Sequence, residues 1–152
     1  QTRETVPAAS ITADVIAGFP GETADDYQRT YALAERIGFS AMHVFPFSSR
    51  PGTSAAHFDD DVTPQEKSAR VARLIELGGR TGSAFRDGLL GTVRPVLWEE
   101  QRNEAWTGLT DNYVRVSVHS QDNLFNQILP TRLVGHSEQI VLGELQRVPT
   151  AP

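Results

Sequence analysis

Two short segments carry the residue types best suited to holding a ligand. In Gly18-Phe19-Pro20-Gly21-Glu22-Thr23, the glycines permit close backbone approach. The amides that open a following helix can receive an anion. Further on, His43-Val44-Phe45-Pro46-Phe47 offers backbone hydrogen bonds and an apolar wall to a flat heterocycle. Each segment also has a plain structural reading, as a capped strand-to-helix turn and as a buried strand. Arg50, just past the second segment, could hold a carboxylate or a phosphate bidentately, or pair within its loop with Asp59, Asp60 or Asp61. Metal and hydrolytic chemistry have no foothold. His43, His57, His119 and His136 stand apart, and neither H-E-x-x-H nor G-x-S-x-G occurs. Cysteine is absent, which removes disulfides and thiolate-held metals or clusters from these residues.

The elements that must position these segments follow from periodicity. Ser10 to Ala17 is a β-branched, apolar run that stops at Gly18, as a buried strand does. A helix over Thr23 to Ile37 follows, with Thr23 as cap, Asp26 three residues on and Gly38 as terminator. Ala41 to Phe47 is a second strand. Strand, helix and strand with short connections make a right-handed βαβ unit with parallel strands, and one such unit cannot cover both faces of its own sheet. After a polar loop over Ser48 to Asp61, Thr63-Pro64-Gln65-Glu66 opens a long helix. Val71, Leu74, Ile75, Phe85 and Leu89 are expected on its buried side and Gly91 at its end. Gly78-Gly79 should weaken its middle by roughly 1 kcal/mol per glycine.

Beyond Gly91 the period becomes two. Val114, Val116 and Val118 alternate with Arg115, Ser117 and His119. Similar segments lie at Val93–Glu99, Ala105–Leu109, Asn126–Leu133 and Gln139–Leu145. Five short strands predict a small closed or partly closed barrel.

Composition bounds what this can be. The chain has 152 residues, 39% hydrophobic and 22% charged, the balance of a globular protein. No apolar run is long enough to span a membrane, and the first residues lack a secretory core. Thirteen of the fourteen basic residues are arginines, Lys67 being the exception, and net charge is −5. Nucleic-acid contact must therefore be local, not driven by overall charge. The chain begins at Gln1 and its single methionine is Met42, so a longer parent polypeptide is expected.

Thr12–Thr23 (TADVIAGFPGET) and His43–Ala56 (HVFPFSSRPGTSAA) resemble the paired signatures of radical S-adenosylmethionine (SAM) methylthiotransferases. The His-Val-Phe-Pro phrase is most similar to the branch acting on threonylcarbamoyladenosine in tRNA (MtaB type). A branch acting on isopentenyladenosine (MiaB type) and a non-catalytic RNA-binding module remain as alternatives. Gly108–Val116 (GLTDNYVRV) is similar to the TRAM domain, a small RNA-binding barrel.

The resemblance implies an α/β fold over residues 1–91, part of a TIM-like radical SAM barrel with parallel strands, and a small all-β TRAM barrel over 92–147. It implies SAM as cofactor, with Ile16 and Gly18 near its adenine-ribose portion and the backbone of Val44, Phe45 and Pro46 bordering the adenine, beside Arg50. It implies [4Fe–4S] clusters in the parent enzyme whose cysteines this chain lacks, so the chain alone should be inactive and carries no catalytic or metal-ligating residue. The implied partners are a tRNA anticodon stem-loop and the N-terminal part of the same protein, in the cytoplasm. Arg94, Tyr113, Arg115 and Arg132 are the candidate RNA contacts; Trp106 is read as barrel core.

Overall fold

A computed structural model describes residues 2–137 and 139–146. Glu138 and residue 147 of the expected barrel lie outside the described residues. The chain divides into two compact units, one of Ile11–Gly82 and one of the first ten residues together with everything from Ser83 onward.

In the first unit, β1 (Thr12–Ala17) and β2 (Ala41–Pro46) form a two-stranded parallel sheet, connected by α2 (Ala24–Ile37). Val15, Ala17, Met42 and Val44 face a core built by Tyr27 and Ala34 of α2 and by Leu74 and Leu77 of α3 (Pro64–Asp87). Both helices begin as their sequences require. Thr23 accepts from the Asp26 amide while Asp26 returns to the Thr23 amide, and Thr63 and Glu66 repeat the box. Gly38 ends α2 at φ 62°.

Several expectations need correction. The described residues hold one βαβ unit and no closed parallel barrel. Ile75 is 55% exposed; Leu77, three residues after Leu74, takes the inward position instead. The long helix stops at Asp87, and Leu89 is buried in the second unit's core rather than along the helix. Gly78 is less a weakness than an accommodation, since a Cβ there would meet the Met42 side chain at 3.3 Å.

The second unit is a closed barrel of β3 (Val93–Arg102), β4 (Ala105–Thr110), β5 (Arg115–His119), β6 (Ile128–Ser137) and β7 (Ile140–Leu145), in the order β3-β4-β5-β7-β6. β6 returns beside β3, giving a Greek key, and β7 closes the ring by pairing parallel to β5 and antiparallel to β6. This is the architecture class of the OB-fold. A four-residue α1 (Thr2–Thr5) precedes Ala8, which packs on the barrel core. That core takes every second residue, with Val96, Trp98, Val116, Leu133 and Val141 fully buried. Asn103 and Glu104, at φ 48° and 64°, make the two-residue β3–β4 turn. The strand expected from Asn126 starts at Ile128 because Asn126 sits at φ 58°, outside extended space.

Gly143 lets β7 approach its neighbours. A Cβ there would lie 2.6 Å from Thr131 Cγ2 and 2.9 Å from Val116 Cγ1, whereas one at Gly135 meets nothing within 4 Å. Gly143→Ala should therefore destabilise the barrel by about 1–3 kcal/mol, and Gly135→Ala should change it by less than about 0.5 kcal/mol, both read by urea unfolding of the buried tryptophans. The capping boxes predict acid sensitivity. Hydrogen bonding from the Thr23 and Thr63 hydroxyls holds Asp26 and Glu66 below their ordinary values of 3.8 and 4.5. Folded values below unfolded ones mean that their stabilisation is complete at neutral pH and is lost as pH falls through the folded values. Circular dichroism should show helix loss below about pH 4 that Asp26→Asn and Glu66→Gln make less dependent on pH.

Candidate functional site

Because β1 and β2 run parallel, both chains leave the sheet at the same edge. The register pairs Asp14 with His43, Val15 with Val44, Ile16 with Phe45 and Ala17 with Pro46. Alternation then sorts the faces. Val15 and Val44 turn toward the helices, so only the backbone of Val44 borders the opposite side. Ile16 and Phe45 stand next to each other there, 58% and 51% exposed, with Asp14 and His43 one step back, also exposed. The structure thus brings Ile16, Val44, Phe45 and Pro46 together at one rim.

Gly18 continues that rim, buried and at φ 73°. Its amide donates to Glu22 Oε2 at 2.8 Å, and the same oxygen pairs with Arg70. Glu22 and Arg70 are each only 12% exposed. Arg70 also donates to the Glu22 carbonyl and lies 5.6 Å from the centroid of the Tyr27 ring. The Tyr27 hydroxyl donates to the Arg70 carbonyl, and burial pushes its pKa above 10.0. The Gly21 amide donates to Asp61 Oδ1 at 2.7 Å. Two amides of the glycine-rich turn are thus satisfied by carboxylates of the chain.

Those commitments bear on Arg50. Asp60 pairs with Lys67 and Asp61 binds Gly21, so neither neutralises Arg50, which is exposed and forms no ion pair among the described residues. It leaves β2 at the same edge as the Ile16–Phe45 pair, four residues past Pro46.

In the barrel unit the four candidates divide. Arg115 is exposed between buried Val114 and Val116. Tyr113 is 82% exposed and held at φ 61° by a buried network. Thr110 Oγ1 donates to Asn112 and accepts from the Val114 amide, while Asn112 donates to the Ala8 carbonyl. Arg94 is engaged with Asp111 through two nitrogens, and Arg132 donates to the Gly91 carbonyl. Trp106, 4% exposed, is core.

Sequence reading missed the Asp14–His43 juxtaposition, although period-two alternation places both with Ile16 and Phe45. It also missed Glu22, Asp61 and Lys67, whose partners lie 48, 40 and 7 residues away; the one signal was that Lys67 is the only lysine. Glu22→Ala would leave Arg70 buried without its counter-charge and should cost about 3 kcal/mol. Adding Arg70→Met should cost less than the sum of the two single changes, as a double-mutant cycle would measure.

No family model matches the chain. It is 32% identical to the threonylcarbamoyladenosine tRNA methylthiotransferase MtaB of Bacillus subtilis, over 96% of this chain and 34% of that protein. It is 35% identical to the tRNA-2-methylthio-N(6)-dimethylallyladenosine synthase of Methylobacillus flagellatus, over 91% of this chain and 32% of that protein. The synthase of the same description from Symbiobacterium thermophilum is 33% identical over 97% of this chain and 32% of its own length. The chain spans about a third of the length of these relatives. Over nearly all of its residues, then, it is a homologue of the tRNA methylthiotransferases of the MtaB and dimethylallyladenosine-synthase kinds.

Proposed function

We propose that this chain supplies cofactor-facing strand ends and an RNA-docking barrel to a methylthiotransferase acting on threonylcarbamoyladenosine beside the tRNA anticodon. Relatives named for both nucleosides support the tRNA class equally. The His43-Val44-Phe45-Pro46 phrase favours the first, and Arg50 is suited to it. Its guanidinium is exposed and without an ion pair among the described residues, at the edge where Ile16 and Phe45 are uncovered. The threonylcarbamoyl group ends in a carboxylate, which the planar fork of arginine binds bidentately. A dimethylallyl group offers it nothing.

SAM fits the rim in kind. The uncovered Ile16–Phe45 pair offers apolar surface to an adenine, flanked by the backbone of Val44 and Pro46, with Gly18 just past the end of β1. When bound there, SAM would provide the radical source and the methyl group. This chain's residues would orient it and shield one side from water. They do not fit an iron–sulfur cluster, since the chain has no cysteine; cluster ligation and the rest of the cradle belong to residues outside this chain. In the barrel, Arg115 and Tyr113 are the residues offered to RNA, the first to phosphate and the second to an unstacked base, while Arg94 and Arg132 are already hydrogen-bonded within the barrel unit.

Mass spectrometry of tRNA nucleosides from a strain deleted for the gene tests the reading. Loss of the methylthio group from threonylcarbamoyladenosine alone is expected; loss from dimethylallyladenosine instead would overturn the assignment. Filter binding of an anticodon stem-loop should weaken about fivefold in Arg115→Ala, with the salt slope falling by about 1.

A further inference from the structure

The chain's other thirteen basic residues are all arginine, and its single lysine is Lys67. Lys67 lies in the first turns of α3 and is only 9% exposed. Its stem lies directly on Gly18, where a Cβ would fall 2.4 Å from Lys67 Cγ. Its ammonium donates to Asp60 Oδ1 at 2.7 Å and sits 5.3 Å from the centroid of the Phe47 ring. One side chain thus touches the turn leaving β1, the residue leaving β2 and the far end of the loop between β2 and α3. Two further clasps act on the same loop. Asp61 takes the Gly21 amide, and Phe58 packs edge-on against Phe19, whose ring also meets Phe47 at 5.0 Å.

The geometry points to Lys67 as a positioning residue that clasps the Arg50-bearing loop onto the rim formed by Gly18, Ile16 and Phe45. An ammonium this buried requires its carboxylate partner, so the Asp60 contact is a condition of the packing rather than an addition to it. The methylene stem lies along the glycine turn and ends in a compact ammonium between Asp60 and the Phe47 ring. The ends of a loop that runs from Phe47 to Val62 are thereby held while its middle, with Arg50, stays open to solvent. Its use in holding a ligand rests on the function proposed above; the clasp itself does not.

The absence of cysteine permits a direct test. Lys67→Cys introduces the chain's only thiol, which can be aminoethylated in denaturant to restore an ammonium of lysine length, or carbamoylmethylated as an uncharged control, before refolding. Amide hydrogen exchange is then read at Gly21 and Phe58, with the barrel strands as internal reference. Exchange at both amides should rise about tenfold in the carbamoylmethylated chain and return to the wild-type rate in the aminoethylated one. Asp60→Asn, altering a half-exposed carboxylate, should raise the same two rates without loosening β1 or β2. Unchanged exchange in Asp60→Asn, or no recovery on aminoethylation, would overturn the clasp. The nucleoside analysis of the deletion strain reads the other premise: an unchanged methylthio content would count against the proposed function, while the exchange rates would still decide the role of Lys67.

Discussion

Parallel pairing of Thr12–Ala17 with Ala41–Pro46 is the constraint from which the rest of the first unit follows. Once Val15, Ala17, Met42 and Val44 are committed to the core under α2 and α3, alternation leaves Asp14, Ile16, His43 and Phe45 no choice but the opposite face. Side chains such as Ile16 and Phe45 would each gain about 1.5–3 kcal/mol from full burial, yet both remain more than half exposed. A parallel sheet with one face bare is an incomplete layer.

Charge is arranged around the strand ends with a consistent economy. The acidic residues that give the chain its net charge of −5 are partly spent inside the first unit. Glu22 satisfies Gly18 and Arg70, Asp60 satisfies Lys67, and Asp61 satisfies Gly21. The Gly18 and Gly21 amides of the glycine-rich turn are therefore already satisfied within the chain, and close packing against Lys67 accounts for Gly18.

The barrel solves a different problem. Closure removes sheet edges, bulges after Trp98 and Leu133 let the strands bend, and Gly143 admits Thr131 and Val116 at contact distances no side chain could share. The polar network of Thr110, Asn112 and Ala8 fixes the β4–β5 loop in a left-handed turn at Tyr113. Tyr113 is therefore exposed on a backbone that buried hydrogen bonds hold.

Local pattern determined much of this molecule. Helix caps at Thr23 and Thr63, the turn at Gly18, the alternation through Val114–Val118 and the core role of Trp106 were all legible in the sequence, because each depends on neighbours within a few residues. Tertiary structure alone decided which polar groups remained free. Arg50 forms no ion pair among the described residues while Asp60 and Asp61 are held by Lys67 and Gly21, and Glu22 is tied to an arginine 48 positions away. Hydrogen-bonding capacity is a property of residue type, but its allocation is a competition in space, and the chain's order does not record who wins it.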